Sequence, residues 1–137
     1  MLESLSVILP FYNEEKRLKT TLTKIIEFTK KNEIKFKEFI FVDDGSDDRS
    51  NEIIENFNLN IKSTNIKIKL IKLPKNLGKG GALKEGIKVA THKWILTSDI
   101  DFSVSLFEID NWSNLNLIDD QNKVYFASRA HLKSKVN

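Results

Sequence analysis

The sequence predicts an α/β domain built on a mostly parallel sheet, and three observations point there. Short apolar runs alternate with stretches whose apolar residues recur at helical spacing. The strand–helix–strand rhythm is that of right-handed crossovers between parallel strands. No internal repeat, low-complexity tract or linker interrupts the alternation, so residues 1–137 are read as a single domain.

Each element follows from its own residues. Ser6 to Leu9 is a short apolar run closed by Pro10, a residue suited to a strand end. Leu18, Leu22, Ile25 and Ile26 lie on one helical face, which predicts an amphipathic helix from Glu14 to about Lys31. Phe39 to Val42 is a second apolar run, cut off by DDGSDD. Ile53, Ile54, Phe57 and Ile61 fit one face of the next helix. Ile66, Ile68 and Leu70 alternate with lysines before Ile71 and Leu73, a third strand that stops at Pro74. Leu83, Ile87 and Ala90 mark a third helix, opened by the turn NLGKGG. Trp94 to Thr97 is a fourth strand. Val124 to Ala127 reads as a fifth, after a loop rich in Asn, Ser and Asp between Asp110 and Asn122.

Composition narrows the class. Hydrophobic residues make up 40% and charged residues 30%, a balance normal for a globular protein with a core. The absence of cysteine excludes a disulfide-stapled framework and any zinc site built on thiolates. MLESLSVILPFYNEE has no basic region ahead of its apolar run and no small-residue cleavage site after it, so it reads as a first strand. No apolar run approaches the ~20 residues that span a bilayer. The net charge of +3 comes from lysines spread along the chain, which read as solvated surface; nucleic acid is not an expected partner.

In open parallel sheets, ligands bind beyond the C-terminal ends of the strands. Four polar clusters fall on that edge. Strand one ends in Pro10, Tyr12, Asn13 and Glu14, and strand two in Asp43, Asp44, Gly45 and Ser46. The turn after strand three carries Asn76, Gly78, Lys79, Gly80 and Gly81, and strand four ends in Asp99 and Asp101.

Each cluster also has an ordinary structural reading. Asp, Ser and Gly favour turns and helix N-caps, and Ser46 or Asp47 is taken to cap the second helix. Asp43, still at the strand end, is not explained that way. NLGKGG matches neither common phosphate-loop pattern and alone is a flexible turn. Tyr12 packs as often as it binds, and Asp99 with Asp101 alone is a turn as often as a site. His92 and His131 have no partner pattern around them. The combination on one edge carries the argument.

Two carboxylates at i and i+2 just past a strand end can both converge on one hard divalent cation. Mg²⁺ and Mn²⁺ take oxygen ligands and share them with a diphosphate. Tyr12 then offers a stacking face and Asp43 an acceptor for a base or ribose. Lys79 and the glycine amides, Gly80 among them, approach anionic groups.

The blocks SVILPFYNEEKRL, FVDDGSDDRS, LPKNLGKGGALKEGI, SDIDFS and ASRAHL, in that order, resemble the family 2 glycosyltransferases. Within that family they look most like the dolichyl-phosphate β-glucosyltransferase type, over residues Ser6 to Leu132. The resemblance implies the GT-A fold, a Rossmann-like three-layer sandwich. It implies that Pro10, Tyr12, Asn13 and Glu14 form the first nucleotide-binding block, that Asp43 contacts the base with Asp44 beside it, and that Lys79 lies near the donor. Asp99 and Asp101 match the DxD that binds Mg²⁺ or Mn²⁺ and the donor diphosphate. Ser128 and Arg129 fall where related enzymes approach the acceptor phosphate, which places Arg129 with Asp99 and Asp101 among the catalytic residues. The implied reaction is inverting transfer of a hexose, glucose from UDP-glucose, to a polyprenyl or dolichyl phosphate at a membrane surface. The implied location is the cytoplasm, with a peripheral place at the inner face of a membrane open to it.

Family members continue past the ASRAHL block, so the acceptor part reads as missing, and self-association is expected to cover the apolar surface around Phe107, Trp112 and strand five. Two other readings stand beside lipid-phosphate transfer: a glycosyltransferase with a saccharide acceptor in polysaccharide synthesis, and a nucleotide-sugar-binding fragment without catalysis. A sugar-1-phosphate nucleotidyltransferase is disfavoured, because PFYNEE stands where its Gly-rich, Arg-containing loop is expected.

Overall fold

The protein is described here as a computed structural model covering residues 2–32, 34–61, 66–120 and 123–127. Its elements run β1 (Ser4–Phe11), α1 (Glu15–Lys31), β2 (Phe36–Asp43), α2 (Ser50–Asn60), β3 (Ile66–Lys72), α3 (Gly78–Val89), β4 (Trp94–Thr97) and α4 (Glu108–Asn114). The four strands form one sheet in the order β3-β2-β1-β4, and every pairing is parallel. Parallel pairing sends all four C-terminal ends to one edge: Phe11 pairs with Asp43 and Asp43 with Lys72, while β4 stops at Thr97, opposite Ile8.

Helices cover both faces of the sheet, which is why β1 and β2 are near-continuous apolar runs. Val7, Leu9, Phe39 and Phe41 meet Leu18, Ile25 and Phe28 of α1 and Ile54 of α2. Ile8, Ile40 and Val42 point to the other face, against Ala82 of α3. Gly86 lets α3 settle there: a Cβ at that position would stand 2.5 Å from Ile8 Cγ2. The result is three layers, with α1 and α2 on one side and α3 on the other.

The structure changes two parts of the sequence reading. β2 begins earlier than its apolar run, taking in Lys37 and Glu38, which are both buried. Glu38 tolerates burial because both its oxygens are bonded. Oε2 accepts from Ser6 Oγ (2.7 Å) and the Thr91 N–H (3.0 Å); Oε1 accepts from Thr91 Oγ1 (3.1 Å) and pairs with Lys69 Nζ (2.6 Å).

The second change is at the fifth strand. Val124 to Ala127 pairs with no strand among the described residues, which leaves β4 at the edge of the sheet. Val124, Tyr125 and Phe126 are strand-favouring residue types, but β propensity has effect only where a partner supplies the ladder. Here the Tyr125 ring lies 6.2 Å from that of Trp94. Its hydroxyl accepts the N–H groups of Asp119 (3.1 Å) and Asp120 (2.9 Å), folding the segment back on itself. The loop expected from Asp110 also begins inside a helix, α4, whose Ile109 joins the core.

Candidate functional site

Past the C-terminal end of every strand the chain turns through a residue of positive φ: Asn13 (51°) after β1, Gly45 (87°) after β2, Gly78 (78°) after β3 and Phe102 (49°) after β4. Glycine enters this region freely and asparagine tolerates it, whereas a bulky residue stays there only when its surroundings hold it. Gly45 is doubly constrained, because a Cβ there would also stand 3.1 Å from the Asn76 backbone nitrogen.

The loops after β1 and β2 are laced together. The Asn13 N–H donates to Ser46 Oγ (2.8 Å), while Asn13 Oδ1 accepts the N–H groups of Asp47 (2.9 Å) and Asp48 (3.3 Å). The N–H groups of Glu14 and Glu15 donate to Ser50 Oγ (3.0 Å) and Asp48 Oδ2 (3.1 Å). Asn13 therefore acts as a strut between two loops. α2 begins at Ser50, and Asp48 Oδ1 accepts the Ser50 N–H (2.9 Å). The side chain at the start of α2 is thus Asp48, and neither Ser46 nor Asp47 caps it. Burial works to raise the Asp48 pKa, but bonds from Ser50 and the Glu15 backbone outweigh it and hold the carboxyl below its ordinary value.

Asp43 closes the same loop from below. It is buried; Oδ1 accepts the Ser46 N–H (2.8 Å) and Oδ2 accepts from Asn51 Nδ2 (2.7 Å). Each oxygen keeps a second lone pair. Among the described residues, Asn51 Oδ1 is the buried side-chain oxygen with no hydrogen-bond partner. The buried Asp44 accepts the Leu77 N–H (2.6 Å), which ties the β2 loop to the start of α3.

A cleft of about 400 Å³ opens on this edge of the sheet. Pro10, Tyr12, Glu14, Asp44, Lys79, Asp99 and Asp101 are among the residues that line it. Tyr12 is 50% exposed, so its ring is offered to the cleft rather than spent in the core. Lys79 Nζ is bonded to Asp99 Oδ1, and both side chains are open to solvent. Asp101 Oδ1 accepts the Ser103 N–H (2.9 Å). Of the predicted site residues, Asn13, Asp43 and Gly80 do not line the cleft. Gly80 lies in the first turn of α3, where helix N–H groups have no partner within the helix. Arg129, like Ser128, lies outside the described residues.

Two side chains here escaped the sequence reading. Arg17 of α1 reaches the cleft wall, its guanidinium 3.5 Å from Glu14. The one available signal was its place in the helical turn directly after Glu14. Asn51 sits one turn after the DDGS block, and nothing local marks it as a partner of Asp43.

The donor set suits a hard divalent ion. Two carboxylates stand at i and i+2 with an ammonium already drawn to one of them. Among the described residues no group of three or more His, Cys, Asp and Glu gathers. An ion at Asp99 and Asp101 would therefore share its coordination with ligand oxygens rather than be enclosed by protein.

Residues 6–106 match the sequence profile described as glycosyl transferase family 2. The chain belongs to that family. Among its relatives, a dolichyl-phosphate beta-glucosyltransferase of Dictyostelium discoideum is 35% identical over 134 residues, which is 93% of this chain and 40% of that protein. A poly-beta-1,6-N-acetyl-D-glucosamine synthase of Staphylococcus epidermidis is 35% identical over 99 residues, 72% of this chain and 22% of the relative. This family 2 chain thus spans less than half the length of these relatives. Among solved structures, S. aureus TarS 1-349 in complex with UDP-GlcNAc superposes with a TM-score of 0.66 at 26% identity, covering 81% of this chain and 30% of that one. The mannosyltransferase PcManGT of Pyrobaculum calidifontis, in complex with GDP-Man and Mn2+, gives 0.61 at 23% identity, with 71% and 27% covered. The fold is the GT-A fold that the motif order implied. Among the described residues, no helix is long and apolar enough to cross a membrane.

Proposed function

We propose that residues 1–137 are the nucleotide-sugar-binding domain of an inverting glycosyltransferase that moves a hexose, glucose from UDP-glucose, to a polyprenyl or dolichyl phosphate at a membrane surface. The observation that carries this reading is the pair Asp99 and Asp101, with Lys79 bonded to Asp99 and all three lining one cleft, in a chain 35% identical to a dolichyl-phosphate beta-glucosyltransferase.

The residues divide the work. Tyr12 stacks on the base, while Asp43 and Asn51 present acceptor oxygens at the end of β2. Asn13 and Asp44 hold the loops on which that pocket depends. Lys79, Arg17 and the amides of the α3 first turn, Gly80 included, attract the donor diphosphate. Asp99 and Asp101 would hold Mg²⁺ or Mn²⁺, which supplies charge neutralisation to the departing diphosphate.

In the transfer step an acceptor phosphate oxygen attacks the anomeric carbon, and the bond from that carbon to the diphosphate oxygen breaks. UDP leaves with the electron pair, and attack from the opposite side inverts the centre. A phosphate monoester has its second pKa near ~6, so the acceptor is largely ionised at neutral pH and requires no general base. Arg129, in the ASRAHL block, is assigned to the acceptor phosphate.

Calorimetry of UDP-glucose, GDP-mannose and UDP, each with and without Mn²⁺, tests the donor side. Metal-dependent binding of UDP-glucose and UDP is expected, with GDP-mannose weaker. Transfer of labelled glucose to polyprenyl phosphate, against free saccharides, tests the acceptor side. The likeness to a poly-beta-1,6-N-acetyl-D-glucosamine synthase favours a saccharide acceptor as the second reading, and transfer to saccharide alone would select it.

A further inference from the structure

The loop that presents Asp99 and Asp101 is held from outside itself. Its backbone turns tightly: the Phe102 N–H donates to the Asp99 carbonyl (3.1 Å), and Phe102 takes a φ of 49°. A phenylalanine in the left-handed region relaxes unless something restrains it. The side chains of Ile100 and Phe102 are buried and anchor the turn on one side. Helix α1 supplies the rest. Thr21 Oγ1 donates to the Ile100 carbonyl (2.6 Å), and Lys24 Nζ donates to the Asp101 carbonyl (2.7 Å). These two carbonyls are successive, and they belong to the residue between the two aspartates and to the second aspartate itself.

Thr21 is the odd member of its helix face. It lies buried among Leu18, Leu22, Ile25 and Phe28, where an apolar residue would pack as well and a hydroxyl needs a partner. Its oxygen is also 3.4 Å from the Arg17 carbonyl, but a hydroxyl has one proton, and the 2.6 Å contact takes it. Lys24 stands three residues further on, on the same side of α1.

We propose that Thr21 and Lys24 are positioning residues for the acidic turn. By holding the carbonyls of Ile100 and Asp101 they fix the two peptide planes that flank the Asp101 Cα, and so fix the approach of the Asp101 carboxylate to a divalent ion shared with Asp99. This inference rests on the assignment of Asp99 and Asp101 to the metal.

The test compares Thr21→Val, which removes the hydroxyl and keeps the shape, with Thr21→Ser, which restores it, and with Lys24→Met, which keeps the stem. UDP binding in Mn²⁺ and uridine binding without metal are measured by calorimetry. Bound Mn²⁺ is followed by electron paramagnetic resonance in the presence of UDP. Thr21→Val is expected to weaken metal-dependent UDP binding by about tenfold, and Lys24→Met by about threefold, with uridine binding unchanged. Thr21→Ser is expected to recover most of the loss. Equal losses for UDP and uridine would reduce both residues to general structural support and overturn the proposal. Unchanged Mn²⁺-dependent binding in Thr21→Val would also overturn it. If Thr21→Val does not fold, the exposed Lys24→Met decides by the same readings. Asp101→Asn separates the two layers of argument. Retained metal dependence in that variant removes the metal assignment and this inference with it, whereas its loss alongside an unaffected Thr21→Val removes the positioning role alone.

Discussion

Strand β2 carries a carboxylate near each of its ends, and two more stand past the end of β4. Their partners differ in a graded way. Glu38, near the start of β2, is fully buried and accepts from Ser6, Thr91 and Lys69 on both oxygens. Asp43, at the end of the same strand, is buried but keeps one bond per oxygen, to the loop it closes and to the first turn of α2. Asp99 is open and Asp101 half-buried, their carboxylate partners being a solvent-exposed lysine and one backbone N–H. An acid saturated by its own chain serves the fold, and an acid with lone pairs facing a cleft serves a ligand. Residue type alone does not make the distinction, because all four are carboxylates on or just past strands of one sheet.

The comparison breaks first at Glu38. Burial would raise its pKa, but the bonds from Lys69, Ser6 and Thr91 outweigh burial and hold it at about 2, against an ordinary value of 4.5. A depressed folded-state pKa gives stability that is present above the unfolded value and is lost as pH falls through the folded one. Glu38→Gln is therefore expected to lose about 3 kcal/mol of stability near neutral pH, read by urea denaturation. The parent should lose the same contribution as pH falls from 4.5 towards about 2, while the variant stays flat over that window. A variant as stable as the parent would place Glu38 with the open acids. Binding of UDP at low temperature, where the variant remains folded, should not change.

Asp43 lies between the extremes, and so does its expected effect. Asp43→Ala frees the Ser46 N–H and the Asn51 amide, at a cost of about 2 kcal/mol. Affinity for UDP and for uridine should fall together, because the base end of the ligand depends on this loop. A loss for UDP but not uridine would move the influence of Asp43 to the phosphate end.

Asp101→Asn should do the reverse. Its Ser103 bond survives in the amide, so stability should stay within about 0.5 kcal/mol of the parent. Mn²⁺-dependent UDP binding should fall about tenfold or more. Equal binding of UDP and Mn²⁺ by variant and parent would remove the metal assignment.

How much of this gradient was legible in the sequence depends on range. Leu18, Leu22 and Ile25 carry a local period, and the strand cores are local runs, so four strands and three helices were found close to where they lie. The rule that ligands gather at strand C-termini then placed Tyr12, Asp44, Lys79, Asp99 and Asp101 on one edge, and the cleft contains them. What sequence could not give was pairing across distance. Glu38 looks unfit for a strand interior until Thr91 and Lys69 are beside it. That Asn13 and Asp44 also tie neighbouring loops together is visible only once the N–H groups of Asp47 and Leu77 are seen on them. Val124 to Ala127 carries strand chemistry with no strand to pair with, and Thr21 and Lys24 are unmarked within an ordinary amphipathic helix.

The smallest effect is expected at Lys79, and its sign is informative. Lys79 Nζ occupies Asp99 with both side chains largely in water, a kind of ion pair worth at most about 1 kcal/mol. The ammonium and a divalent ion compete for the same carboxylate oxygen, yet the ammonium and a diphosphate attract each other. Lys79→Gln should thus bind Mn²⁺ alone slightly more tightly, by up to about threefold, because Asp99 is released. The same variant should bind UDP with Mn²⁺ more weakly, because a cation has left the phosphate side of the cleft. Titration of Mn²⁺ with and without UDP reads both arms in one experiment. Two shifts of the same sign would mean that Lys79 acts on one partner only, and Asp99 would then lack the exchangeable counter-ion that separates it from Glu38, whose Lys69 is also held by the Val89 carbonyl (2.6 Å).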